Sequence, residues 1–558
     1  MQQGFSLVGK YKYLLGFTSI GIIYFLNMFL DVMDMDAAQY ASISREMSEN
    51  GSMLEIYHRG KDYLDKPPLL FWLSSLSFKI FGINNFSYKL PAILIIILGI
   101  YSTYRFTLLW YNKPRALLAA FILCSTQAFI LITNDIRTDG LLTGFVIFSI
   151  WQISAYLKDE RLTHLFFGAI GVAAAMMSKG PVGIGIVALA IGGDLILKRR
   201  WADIFKPQWL LFLLIVAILI APMCYGLYTQ FDLNPEKEVY GLKGPSGLKF
   251  FFWTQSFGRL TGDIYWKDSS PSWFFLQTML WDFQPWFWFF IAAFLSRAKE
   301  LFSKRFQKNN KQEYISFFGF LLSFLALSLA NFKLPHYIFP LFPLAALISA
   351  DFIISLQSTK KKTLKLLTSI HFGLLHIFFF LVCISFIFFF PPSSIIFPLA
   401  LGIFYLVFWY SFIFSTSQIN KIIGPTIIST FVFGAVLSTY FYPNLLKFQS
   451  RSKVGKEIWR KKVAEDRFYT LGGHGHSLDF YSRRTVPFAI PYEMNHYEKG
   501  TLILADQLGM EYILYKQKLN YKIVKTYPDF HITLLRLPFL LKSSRAENLK
   551  KTYLLEKL

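Results

Sequence analysis

The sequence predicts a polytopic α-helical membrane protein that ends in a small water-soluble α/β domain, and three observations carry this reading. Of 558 residues, 54% are hydrophobic and 16% charged, with a mean hydropathy of +0.41, a balance that soluble domains do not show. Apolar runs of roughly 20 residues, the length of one bilayer crossing, recur between short polar loops. From about Pro443 the runs shorten and charge becomes frequent, as in a domain surrounded by water.

The net charge of +23 does not imply a nucleic-acid partner. Its lysines and arginines lie mostly in short loops between apolar runs or in the tail, where they orient a membrane protein by staying on the cytoplasmic side. Cys124, Cys224 and Cys383 all sit in apolar runs without metal spacing and read as small core hydrophobes. The first apolar run lacks a small-residue cleavage site and reads as a retained helix.

Lys10 and Lys12 precede the first span, Tyr13 to Leu30, which places the N-terminus inside and the next stretch outside. That stretch, Asp31 to Gly82, is unusually polar. Within it, Ala37 to Met47 reads as a helix that Asp36 caps, and Leu69 to Phe81 as a second surface helix entered through Pro67 and Pro68 and ended by Gly82. Further spans follow at Leu90 to Leu109 and Ala116 to Thr133. A fourth descends to Lys158, a fifth rises from Leu165 to the segment Ser178 to Gly183, and a sixth falls to Lys198–Arg200. Lys179, Gly180 and Pro181 mark either a tight turn or a re-entrant break. The seventh span, Leu210 to Tyr228, leads to a long aromatic and basic outer segment, and the eighth runs from Trp273 to Leu295. Later spans bring the expected total to about 13, with the C-terminus outside. The expected division is a membrane domain over residues 1–442, with outer loops 31–88 and 229–271, and a periplasmic α/β domain over 443–558. In the latter, RFYTLG, GTLILAD, YKIVKTY and FHITLLRL read as strands and Asp506 to Tyr515 as a helix. The Gly472–His476 run, GGHGH, reads as a glycine turn rather than a metal site.

Acidic residues are scarce, so Asp34, Asp36, Asp65 and Asp139, all assigned to the outer face, stand out. A carboxylate there is suited to act as a general base toward a hydroxyl or amine. Lys66, Arg137, Lys179, Arg259 and Lys333 fall on the same face, and cations in low dielectric stabilise a phosphate leaving group. Together they point to group transfer from a phosphate-bearing lipid.

The motifs DAAQYASISREM at Asp36 to Met47, YLDKPPLLFWLSSLSFKIFG at Tyr63 to Gly82, TDGLLTGF at Thr138 to Phe145, SKG at Ser178 to Gly180 and KLPHYIFPLFPLAAL at Lys333 to Leu347 resemble the protein O-mannosyltransferase family of membrane glycosyltransferases. Within it, the resemblance is to the bacterial lipid A 4-amino-4-deoxy-L-arabinose transferases. It implies a GT-C fold in the bacterial inner membrane and inverting transfer of a sugar, aminoarabinose or similar, from an undecaprenyl-phosphate carrier. The implied acceptor is lipid A, a glycan or an exported protein. The resemblance makes Asp36 the catalytic base and Asp139 a second acid. Lys66, Arg259 and Lys179 then bind the donor phosphate, and Tyr40, Tyr63, Arg137, Lys333, His336 and Tyr337 line the cavity.

Three positions depart from the relatives. Ala37 follows the catalytic aspartate where an acid is usual, and Asp65 and Ser256 stand where the relatives have a glutamate and a histidine that bind metal. No cofactor is therefore expected as a requirement, and a divalent metal would lack those ligands. The acceptor stays open: a lipid A phosphate is already anionic, whereas a serine, threonine or glycan hydroxyl needs a base. A transporter or lipid flippase is the rival class, but its carboxylates belong at mid-span, not at span ends.

Overall fold

The computed structural model describes residues 2–255, 258, 270–307, 309, 312–472 and 475–558. Among these, eight helices are long and apolar enough to cross a membrane, from Asn85–Trp110 to Gln418–Phe448. Leu69–Phe81, Val182–Leu197 and Ile315–Ser328 are shorter apolar helices, and the chain opens with a helix over Gln2–Asn27. The chain is a multi-pass α-helical membrane protein with a C-terminal sheet domain.

The helix Thr138–Asp159 is the centre of the bundle, with 89% of its apolar window buried, whereas Ile396–Ile413 has 6% buried and lies at the periphery, anchored by the buried Phe408. Small residues let the central helix approach its neighbour. Gly99 and Gly144 meet so closely that a Cβ on Gly99 would lie 3.0 Å from the Gly144 Cα, and one on Gly144 would collide with the Ile95 carbonyl. In a medium that supplies no hydrophobic drive between helices, such close backbone contact is a main source of association.

Two of the expected continuous spans are broken. The third consists of Lys113–Cys124 and Gln127–Ile132, because the Ser125 and Thr126 hydroxyls bond back to the Phe121 and Leu123 carbonyls and compete with the helical ladder. The eighth splits into Phe274–Asp282 and Phe287–Ser303 around Pro285, which has no N–H to donate. The breaks satisfy each other: the Gln127 N–H donates to the Gln284 carbonyl at 2.9 Å, and Trp286 Nε1 donates to Ser125 Oγ at 2.9 Å. This meets the rule that irregular backbone at membrane depth is tolerated only when buried in protein.

Around Lys179 the chain makes a tight turn. The helix Leu162–Lys179 ends at Gly180, whose φ of 84° suits glycine, and Val182–Leu197 begins two residues later.

The outer stretch folds as the helix Asp36–Asn50, a hairpin of β1 (Tyr57–His58) and β2 (Lys61–Asp62), and the helix Leu69–Phe81. A second hairpin, β3 (Glu238–Val239) with β4 (Leu242–Lys243), lies in the later outer segment. The C-terminal sheet joins β5 (Phe468–Leu471), β6 (Leu502–Ala505), β7 (Tyr521–Asp529) and β8 (Lys550–Lys557) in the order β5-β6-β8-β7. β5 and β6 are parallel and the other pairs antiparallel. FHITLLRL is not a strand: it forms a turn and the short helix Leu537–Leu540, which buries Phe539 face to face with Phe530. The missing strand is β8, whose run of lysines hid its buried Thr552–Leu555 segment.

This domain is seated on the outer stretch. Asp34 accepts from the Ser477 N–H at 2.9 Å and from its hydroxyl, Ser42 Oγ donates to the His476 carbonyl, Arg59 pairs with Asp479, and Lys456 pairs with Asp31 at 2.6 Å. Burial pushes the Asp34 carboxyl up from its ordinary value, although the Ser477 bonds oppose the rise.

Candidate functional site

Asp36 is the first residue of its helix, not its cap. Met35 holds the cap position with no side-chain bond, and the Asp36 carboxylate turns to Arg137, whose Nη1 donates to Oδ2 at 2.7 Å. Arg137 Nε also donates to Asp135 Oδ2 at 2.9 Å. Burial works against the Arg137 charge, but the two carboxylates outweigh it and raise its pKa. Asp36 keeps 42% of its side chain exposed, so one side of the carboxylate is open.

Asp139 lies two residues after Arg137, in the first turn of the central helix, where the dipole favours an anion. It is buried, receives a hydrogen bond from the Lys179 ammonium, and has His336 Nε2 at 3.6 Å. Lys179 is the last residue of its helix and also sits 3.7 Å from the Tyr337 ring centroid, a cation–π contact. Lys66, one residue before the two prolines, pairs with Asp65 at 2.8 Å, and the Asp65 carbonyl accepts from Gln255.

Lys66, Lys179, Gln255 and Tyr337 line a cavity of about 230 Å³, whose remaining wall is largely apolar and includes Leu142, Val182, Ile186, Leu189, Leu327 and Phe332. Two ammonium groups bordering a hydrocarbon slot suit an anionic amphiphile. The Lys66 ammonium has three donors, of which the ion pair with Asp65 uses one.

Tyr40 and Tyr63 flank Phe71, with ring centroids 5.8 and 5.9 Å from it. Burial raises both phenols, with Asp36 adding most to the rise at Tyr40 and Asp65 at Tyr63, so both remain protonated. The Tyr63 hydroxyl is buried without a hydrogen-bond partner among the described residues.

Not every expected residue joins the site. Of the residues expected to line the cavity, Tyr337 does so, whereas Tyr40, Tyr63, Arg137, Lys333 and His336 are not among its lining residues, and Lys333 is buried and donates to the Ser270 carbonyl at 3.1 Å. Arg259 lies outside the described residues, as does Ser256. Gln255 and Asp135 were not expected. Gln255 had no signal in a single sequence, whereas the spacing of Asp135 and Arg137 in NDIRTDG could have suggested a local pair.

A sequence profile described as dolichyl-phosphate-mannose-protein mannosyltransferase matches residues 65–225. An uncharacterized protein of Aquifex aeolicus is 26% identical over 482 residues, covering 85% of this chain and 87% of that one. An undecaprenyl phosphate-alpha-4-amino-4-deoxy-L-arabinose arabinosyl transferase of Erwinia tasmaniensis is 26% identical over 355 residues, covering 61% of this chain. The match spans 59% of that transferase's length. Among solved structures, ArnT from Cupriavidus metallidurans bound to undecaprenyl phosphate superposes with a TM-score of 0.72 at 15% identity, over 93% of this chain and 96% of that one. The chain shares the GT-C fold of ArnT.

In this GT-C chain the profile match takes in Lys66, Asp139 and Lys179 but begins after Asp36. Among the described residues no three His, Cys, Asp or Glu side chains are grouped to hold a metal ion, and Asp65 is already met by Lys66.

Proposed function

We propose that the chain is an inverting glycosyltransferase that moves a sugar, aminoarabinose or similar, from an undecaprenyl-phosphate carrier to lipid A or another cell-envelope acceptor. The observation that carries this reading is the apolar cavity bordered by Lys66 and Lys179. The isoprenoid chain occupies the slot, and the two ammonium groups hold the phosphate. The sugar C1–oxygen bond breaks with its electron pair remaining on the phosphate oxygen, whose charge the lysines stabilise. An acceptor oxygen attacks C1 from the opposite face, which inverts the centre. Asp36 takes the proton of a hydroxyl acceptor, and Arg137 fixes the carboxylate's orientation. Asp139 acts through Lys179 as a positioning residue.

The same reading places the chain in the bacterial inner membrane with about 13 crossings, an inner N-terminus and a periplasmic C-terminal domain, in keeping with basic inner loops. Residues 1–442 are then the catalytic unit and 443–558 the periplasmic one. Transfer to a protein serine or threonine is the second reading, favoured by the mannosyltransferase profile match and by an open carboxylate that a phosphate acceptor does not need.

Mass spectrometry of lipid A, envelope glycans and exported proteins from cells with and without the chain tests the proposal. A sugar lost from one of these pools supports transfer and names the acceptor. Identical pools in both cells, with the chain expressed and the carrier present, would overturn it.

A further inference from the structure

A second cavity, of about 390 Å³, lies between the base of the C-terminal domain and the start of the Asn85–Trp110 helix, and shares no lining residue with the Lys66–Lys179 cavity. Lys456, Trp459 and Arg460 reach it from the last turns of the helix Ser450–Arg460, where three- and four-residue spacing puts them on one face. Arg483 enters from the other side, with its guanidinium 4.3 Å from the Trp459 ring centroid. Asp31 neutralises Lys456. Arg483 gives one N–H to the Ile83 carbonyl at 2.9 Å and keeps its charge, and Arg460 is exposed and makes no ion pair among the described residues. The pocket is therefore left with the Arg460 guanidinium, which makes no ion pair among the described residues, and with Arg483, whose charge Glu49 offsets in part, beside an indole.

The surface next to it is hydrocarbon. Phe29 and Phe81 both pack on Phe86, the residue after pocket-lining Asn85, at centroid distances of 5.9 Å. Phe25, Phe29, Leu76, Ile80 and Phe81 each expose at least half of their surface. These side chains lie at the mouth of a span, at the depth where tryptophan and arginine meet phospholipid headgroups.

We propose that this pocket binds the phosphate headgroup of an anionic membrane lipid, with the phosphate between Arg460 and Arg483 and the acyl chains on the Phe25–Phe29–Phe81 surface. Such a lipid fastens the C-terminal domain to the bilayer at a point remote from the cavity between Lys66 and Lys179. The site is independent of the proposed transfer reaction.

The test is native mass spectrometry of the detergent-solubilised full chain titrated with phosphatidylglycerol and, separately, with phosphatidylcholine. Arg460→Gln removes no intramolecular ion pair and is expected to fold as the parent does. Losing one charge-assisted phosphate contact, it should weaken phosphatidylglycerol binding about tenfold and leave phosphatidylcholine unchanged. Arg460→Lys should retain part of the affinity. Lys304→Gln, an exposed charge change at a distant loop, should have no effect. Equal phosphatidylglycerol affinity for the parent and Arg460→Gln would overturn the proposal. So would an equal loss in Lys304→Gln, or displacement of the lipid by millimolar inorganic phosphate, which would assign the pocket to a free anion.

Discussion

The Lys179 ammonium lies 3.7 Å from the ring centroid of Tyr337 while it donates to the buried Asp139. A flexible lysine at the end of a helix is thus held from two sides, by an anion and by an aromatic face, and its charge is directed along the cavity wall. Replacing Tyr337 with Leu keeps an apolar side chain and removes the quadrupole. A cation–π contact contributes about 0.5–2 kcal/mol, so affinity for the polyprenyl phosphate should fall about 2- to 30-fold. Binding of the carrier phosphate to purified variants checks this.

Arg137 joins Asp36 to Asp135 through two different nitrogens. Lysine has the charge but not the fork, so Arg137→Lys should loosen the orientation of Asp36. A roughly tenfold or larger fall in kcat with KM for the donor nearly unchanged is the expected split, read from steady-state kinetics.

The Tyr63 hydroxyl is buried without a partner among the described residues. Removing an unsatisfied hydroxyl does not destabilise a core, so Tyr63→Phe should melt at or slightly above the parent temperature. If the phenol serves the donor, transfer should drop about tenfold, the value of one hydrogen bond. Melting and transfer measured on the same preparation separate the two roles.

Asp34 is tied to Ser477 of the C-terminal domain, and burial holds its carboxyl above the usual 3.8. An acid whose folded pKa is raised binds its proton more tightly when folded. Its contribution is therefore most favourable at low pH and weakens as pH rises from 3.8 through the folded value. Asp34→Asn removes that slope. The difference in apparent melting temperature between variant and parent should shift in the variant's favour from pH 4 to pH 7, followed by thermal scans in buffers of equal ionic strength.

Much of this arrangement was legible from local chemistry. Helix Leu69–Phe81, entered through two prolines and ended by Gly82, follows from backbone restrictions that act within a few residues, and Lys66 and Lys179, expected together, border one cavity. What sequence could not supply depends on distant partners. Whether Asp36 caps its helix or turns to Arg137 is decided by a residue 101 positions away. The breaks at Ser125 and Pro285 are tolerated because they satisfy each other across the bundle. Lys333 had the right face and charge, yet its amine went to a backbone carbonyl. Strand β8 carries no clear strand signal because its outward lysines mask a short buried segment.

The central claim is that Asp36 serves the transfer step while Lys66 and Lys179 hold the donor phosphate. Single-turnover transfer from an undecaprenyl-phosphate-linked sugar to the acceptor identified in cells, compared between the parent chain and Asp36→Asn, tests it most directly. For a hydroxyl acceptor, general-base loss predicts a rate lower by about 10²- to 10⁴-fold, with carrier-phosphate affinity unchanged. An Asp36→Asn variant that transfers the sugar to that hydroxyl at the parental rate would contradict the account.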